Sequence, residues 1–326
     1  MPTCVYCRIA YQDRFPREHV IPVSFGSFED GLTLGCVCGD CNNYFSKHLE
    51  LQFARESAES VARLRHDLRD NESAARTRRL TARVNVPGPI LGAKVLLYPN
   101  ATKDGIEIIY MPQVAFKNNN EEEWKWYTFE DLNSDLVRSL EPGSEVKYFI
   151  TSSTEEEWLR SRLQELGLGN TKSIKRYQIP PQPNLKTSVT SIFDFNMARC
   201  VVKIAFNYLA YVLEENTHLL LRDDFDVVRN HVRQGLNSQQ PLLRFSSAPR
   251  LEEDNVNRSF VDGHILAVDW DAAKGSIVCG LSFFNVMTYQ VVLCPSYSGL
   301  WFPLQSAHCF DLQTKKARKI AVSLLT

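Results

Sequence analysis

Four cysteines near the start of the chain, Cys4, Cys7, Cys38 and Cys41, form the pattern C-x2-C-x30-C-x2-C. No other feature restricts the folding of this sequence as strongly. Each C-x2-C pair can present two thiolates to one ion at tetrahedral angles, and zinc favours four such soft ligands. A site closed by four cysteines keeps no open position, so its expected role is structural: Zn2+ pins the N-terminal segment to the start of the helix that follows Cys41. Small units need such a staple because they bury too little apolar surface on their own. Cys36 lacks the C-x2-C relation and is expected as a buried strand residue. Cys200, Cys279, Cys294 and Cys309 lie in apolar contexts and are expected as core thiols.

Composition narrows the setting. The chain has nine cysteines, four of them in the paired motifs, which fits metal binding better than a disulfide framework. No secretory leader pattern and no bilayer-length apolar run is present, so a cytoplasmic, non-membrane protein with reduced thiols is expected. The net charge of -1 gives no global basic signature, so any contact with nucleic acid has to be local. At 326 residues the chain can hold two domains and bury a sizeable core.

Between the cysteine pairs runs Glu18-His19-Val20-Ile21-Pro22, and the second pair leads directly into Asn42. Hydrolysing a phosphodiester requires an activated water, charge neutralisation at the phosphate and help for the leaving oxygen. A hard divalent ion, Mg2+ or Mn2+, held by a carboxylate and an amide oxygen supplies the last two. A neutral histidine beside it can take the proton of the water. Glu18 and His19 offer the acid and the base, and Asn42 offers the amide oxygen at the start of a zinc-anchored helix.

These motifs, Cys4-x2-Cys7, Glu18-His19-Val20-Ile21-Pro22 and Cys38-x2-Cys41-Asn42-Asn43, resemble the zinc-knuckle branch of the HNH endonucleases. The likeness covers roughly residues 1–55. It implies a ββα-metal catalytic unit, with Glu18 as acidic metal ligand, His19 as general base and Asn42 as the last, metal-binding residue of the motif. It implies DNA as substrate. Thr33 stands where the family usually has an asparagine that shapes the loop orienting the histidine. That departure supports an alternative, a catalytically inactive, zinc-stapled nucleic-acid-binding or adaptor protein. Phe45 and Glu50 also resemble the helix of this branch, whereas His48 has no expected metal role.

Arg63, Arg65, Arg69, Arg76, Arg78, Arg79 and Arg83 form a local basic excess just after this helix and are candidates for phosphate contact. Arg17 and Lys47 lie nearer the motif and are further candidates; Lys315, Lys316, Arg318 and Lys319 form a second cluster. A long helix is expected over 42–69, with a break near Glu56-Ser57, and the Pro87-Gly88-Pro89 run marks a boundary. The expected architecture is α+β: a nuclease unit over 1–84 and a larger α+β domain over 90–326 of unassigned role, for targeting, sensing or oligomerisation. Homodimerisation is compatible with this reading. Strands are expected over 93–98, 105–111, 144–151, 264–270, 276–284 and 287–293, the last two joined by a turn at Asn285-Val286. Helices are expected over 154–166, 192–215 and 223–236, the first capped by Thr154 and Glu157. A rigid linker is expected at Pro180–Pro183.

Overall fold

A computed structural model describes residues 1–29, 31–66, 80–85, 90–99, 106–118, 123–141, 144–150, 152–168, 187–188, 193–238, 241–246, 263–271, 274–297 and 304–321. The expected linker at 180–183 lies outside these residues, as do Pro87, Gly88 and Pro89. The fold is mixed α+β, an N-terminal region with the four-cysteine cluster followed by a larger α+β region.

The N-terminal segment contains β1 (Glu18–His19), β2 (Thr33–Leu34) and α1 (Gly39–Phe45). A π-helical turn at Ser46–Glu50 carries α1 without interruption into α2 (Leu51–Glu56). Ser57 then turns extended, at φ -75 and ψ 167, and ends the helix where the sequence predicts a break. Helix α3 (Glu59–Arg65) follows.

Contacts group residues 1–77 with 191–326 as one compact unit and set 78–190 apart as another. This grouping differs from the division at 84–90 expected from the sequence. The reason is packing: Cys4, Tyr6, Phe45, Leu49 and Phe53 share one apolar core with Val201, Ile204, Phe206, Leu281 and Tyr289.

The separate unit, residues 78–190, holds β3 (Leu80–Val84), β4 (Lys94–Pro99), β5 (Ile106–Tyr110), β6 (Gln113–Lys117), β7 (Lys125–Thr128), α4 (Ser134–Arg138), β8 (Glu145–Phe149), α5 (Ser153–Glu165) and β9 (Thr187–Ser188). Its strands form a four-stranded sheet, β5-β4-β3-β9, and a three-stranded one, β7-β6-β8. The capping box of α5 lies two residues upstream of the expected one. Ser152 is extended and accepts from the Glu155 amide at 3.3 Å, while the Glu155 carboxylate accepts from the Ser152 amide at 3.0 Å.

The rest of the larger unit is built around α6 (Phe195–Leu213), which Asp194 caps by accepting from the Met197 amide at 2.9 Å. Helix α7 (Asp226–Gln234) ends at Gly235, whose left-handed φ of 71 a side chain would resist. Six antiparallel strands follow: β10 (Leu243–Ser246), β11 (Gly263–Asp271), β12 (Ser276–Phe283), β13 (Met287–Cys294), β14 (Gln305–Asp311) and β15 (Lys316–Ile320), in sheet order β10-β13-β12-β11-β14-β15. Alternation sorts their side chains: Leu266, Val268, Cys279, Leu281 and Phe310 join the core containing α6, while Ile265, Ala267, Ala307 and Cys309 form a second cluster with Ile320 packed against it. The β12–β13 turn sits one residue earlier than expected, because Phe284 and Asn285 take the positive φ values of 51 and 55. Phe284 is held there by packing on Phe25 and His264, and its amide donates to His264 Nδ1 at 3.2 Å.

Candidate nuclease site and its four-cysteine cluster

The first cysteine pair lies in a tight turn in which the Arg8 amide returns to the Cys4 carbonyl at 2.9 Å. Cys38 is the residue before α1, and Cys41 lies within it. The four sulfurs all fall within 4.8 Å of one another, and Cys7 Sγ and Cys38 Sγ are 3.7 Å apart. Tetrahedral zinc with ~2.3 Å bonds to sulfur needs sulfur separations of about 3.8 Å, so the cluster is compatible with zinc. The Cys41 thiol and the Cys38 amide both donate to Cys4 and lower its pKa to about 5, while burial raises Cys7 to about 11. Cys36 stands outside this cluster and is half-buried rather than buried. Burial raises its thiol to about 12. Cys200, Cys279, Cys294 and Cys309 are buried, as expected of core thiols.

β1 and β2 pair antiparallel, with Glu18 opposite Leu34 and His19 opposite Thr33. Successive strand residues face opposite ways. Glu18 accordingly points inward at 4% exposure and His19 outward into solvent. His19 borders a small cavity of about 60 Å³ that Phe28, Leu32 and Phe310 also line. Thr33, half-buried, is the direct cross-strand neighbour of His19.

The surroundings of Glu18 come from far along the chain. Lys203 of α6 is wholly buried; its Nζ bonds Glu18 Oε1 and lies 2.5 Å from Glu50 Oε1. Burial alone would push the lysine pKa down, but the Glu50 and Glu18 carboxylates more than offset it and raise it. Lys203 therefore stays an ammonium. One turn further on, Asn207 Nδ2 donates to Glu18 Oε1 at 3.1 Å and to the His19 carbonyl at 3.3 Å. The Tyr6 hydroxyl donates to Asn207 Oδ1 at 2.8 Å.

These two residues belong to a stripe. Asn196, Arg199, Lys203 and Asn207 recur at helical spacing on an otherwise apolar helix, and each meets the N-terminal segment. Asn196 donates to Gln52 at 3.4 Å and Arg199 to the Tyr44 hydroxyl at 2.7 Å. Lys203 and Asn207 are absent from the residues expected at the site from sequence. The 3-4-4 spacing of polar residues through a hydrophobic helix was the available signal.

Other predicted residues fall variously. Asn42 is half-buried on α1 and Asn43 is exposed; no described hydrogen bond joins Asn42 to Glu18 or His19. His48 is exposed against the Tyr44 ring. Arg17 and Lys47 are exposed. Arg63 corrects the phosphate-contact expectation: it is 7% exposed and donates to the Ser24 carbonyl at 2.7 Å and the Ala54 carbonyl at 3.4 Å. Its guanidinium secures α3 to the loop after β1 instead of facing solvent. Arg69, Arg76, Arg78, Arg79 and the side chain of Arg65 lie outside the described residues.

A catalytic divalent ion fits the donor chemistry of these residues. Lys203 and Asn207 both engage Oε1 of Glu18, which leaves Oε2, and Asn42 adds a neutral oxygen of the hard type. Magnesium retains several waters and takes substrate phosphate oxygens, so few protein ligands suffice. Among the described residues no helix is long and apolar enough to cross a membrane.

Comparison with curated proteins and comparison with solved structures each give no match to the chain. Residues 4–58, which carry all four clustered cysteines together with Glu18, His19 and Asn42, match the HNH endonuclease family.

Proposed function

We propose that this chain is a metal-dependent endonuclease that hydrolyses DNA phosphodiester bonds. The family of residues 4–58 implies nuclease activity on nucleic acid. The observation that carries the reading is the split of a two-residue strand, with Glu18 buried in a polar network and His19 facing solvent on the next residue. The His19 imidazole is placed to take a proton from water attacking phosphorus. Glu18 and Asn42 would hold Mg2+ or Mn2+, which when bound neutralises charge on the phosphate and the leaving oxygen. The four cysteines keep α1, and with it Asn42, at a fixed place in the N-terminal segment. Exposed Arg17 and Lys47 are candidates for phosphate contact near the site. Arg65, Arg69, Arg76, Arg78 and Arg79 remain candidates further along. The groups that do chemistry lie within residues 1–84, and the parts of residues 90–326 that do not support them govern where or when cleavage occurs.

A second reading, an inactive nucleic-acid-binding module, is favoured by one observation: Thr33 sits directly across from His19, where the family usually has an asparagine. One experiment separates them. Full-length protein is incubated with supercoiled plasmid and Mg2+ or Mn2+, with and without chelator, beside His19→Ala. The nuclease reading expects divalent-dependent cleavage that His19→Ala abolishes with zinc content unchanged, since His19 is exposed and its loss leaves the core intact. Gel-shift binding with no cleavage under any divalent ion favours the binding module.

A further inference from the structure

Two carboxylates from separate parts of the N-terminal segment, Glu18 on β1 and Glu50 in the π-helical turn, converge on one ammonium supplied by α6. The side chains of Lys203 and Glu18 are 0% and 5% exposed, so this ion pair is shielded from water and salt. Asn207 adds a second donor to Glu18, and both donors land on Oε1. The orientation of the amide is set in turn. Tyr6 donates to its Oδ1 at 2.8 Å, which leaves Nδ2 for Glu18 and for the His19 carbonyl. A carboxylate held at one oxygen by two donors has its rotation fixed, and its other oxygen points one way only. Ligating carboxylates depend on such outer partners for their orientation.

We infer that Lys203 and Asn207 are positioning residues of the nuclease site, which from α6 hold Oε1 of Glu18 and present Oε2 to the divalent ion. The inference rests on the nuclease reading above. It makes the site a joint product of the N-terminal motif and a helix whose residues lie about 150–190 positions downstream. By donating to the His19 carbonyl as well, Asn207 fixes the backbone of the base together with the carboxylate beside it.

The test uses zinc-loaded, full-length protein and reads Mn2+ binding by electron paramagnetic resonance of the free ion, beside plasmid cleavage, zinc content and thermal unfolding. Asn207→Ala is the first variant. The Tyr6 hydroxyl keeps the Lys203 carbonyl at 3.2 Å as acceptor, so the change leaves no orphaned donor there. The second is Lys203→Met with Glu50→Gln. It removes one positive and one negative charge together, so the group keeps its net charge; freeing Glu18 of its direct cation would by itself strengthen Mn2+ binding, so a loss of affinity reports on orientation. Both variants are expected to keep zinc and to bind Mn2+ about tenfold or more weakly, with cleavage reduced in parallel. A purely structural role would lower the unfolding midpoint without moving Mn2+ affinity. Mn2+ affinities within about twofold of wild type in both variants, with wild-type protein binding and cutting, would overturn the inference and leave the nuclease reading standing. Wild-type protein that neither binds Mn2+ beyond its zinc nor cuts DNA would overturn both.

Discussion

Replacing Lys203 alone by methionine is the most demanding test of the packing between α6 and the N-terminal segment. The ammonium is wholly buried against Glu18 and Glu50, whose side chains are 5% and 16% exposed. At ~3 Å and an effective dielectric constant of ~20, each carboxylate attracts it by about 5 kcal/mol. Burying each ion costs several kcal/mol, so the net worth of the intact group is small. Methionine follows the apolar stem of lysine to its fourth atom and removes the terminal ammonium. It leaves two buried carboxylates facing each other, and breaking a buried pair in this way costs about 3–5 kcal/mol. Asn207 still donates to Glu18, and Glu50 retains some solvent, which sets the expectation at the lower end, about 3 kcal/mol. For a domain of roughly 150–250 residues each kcal/mol moves the midpoint by about 2–4 °C, so a fall of about 6–12 °C is expected. Circular dichroism melting in zinc-containing buffer without added Mg2+ measures it. Adding Glu50→Gln should return at least half of the loss, because one orphaned charge is then gone. A fall below about 2 °C for the single variant, or a double variant no more stable than the single one, would refute the reasoning.

Two further predictions concern stability. Cys38→Ser removes a ligand of the four-sulfur cluster, so metal analysis should show zinc lost and the N-terminal segment should unfold or aggregate; stoichiometric zinc in a folded Cys38→Ser protein would contradict it. Glu59 is wholly buried, and its Oε1 accepts from the Tyr289 hydroxyl at 2.5 Å; among the described residues it has no counter-cation. Burial raises its pKa above the usual 4.5, with the bond from Tyr289 and weaker ones from its own amide and Ser57 opposing. A carboxyl with a raised folded pKa contributes stability that is full below the unfolded pKa and is lost as pH climbs through the folded one. Glu59→Gln should therefore match wild type in acid and gain on it toward neutral pH. Urea midpoints at pH 5 and pH 8 give the comparison, and an advantage that does not grow with pH would count against it.

Local patterns carried much of the fold. Each C-x2-C pair needs only a short-range turn to present two sulfurs, the pairing of the two across some thirty residues follows from the shared ion they predict, and the four sulfurs do converge. The break at Ser57, the helix running into Gly235 and the β12–β13 hairpin follow from residues a few positions apart, and their expected places are within a residue or two of those found. Where local reading slipped, a neighbour in space decided. The turn starts at Phe284, one residue ahead of Asn285, and Val286 closes it, because Phe25 and His264 hold Phe284 there. Arg63 reads as a surface charge in an arginine-rich run, yet two backbone carbonyls in a buried corner satisfy it.

The candidate site divides in the same way. Sequence alone determined the order Glu18, His19, Asn42 between and after the cysteine pairs, and strand alternation sends Glu18 and His19 to opposite sides once a strand is granted. Only the tertiary structure decided what Glu18 meets. Lys203 and Asn207 follow it by 185 and 189 positions, and no local pattern encodes which surface the polar stripe of α6 will cover. The physical reason is that a charged stripe on an apolar helix can be buried only against matching groups. Tyr44, Glu50 and Gln52 on the helical run after Cys41, and Glu18 beside it, become those groups when the two segments share one core.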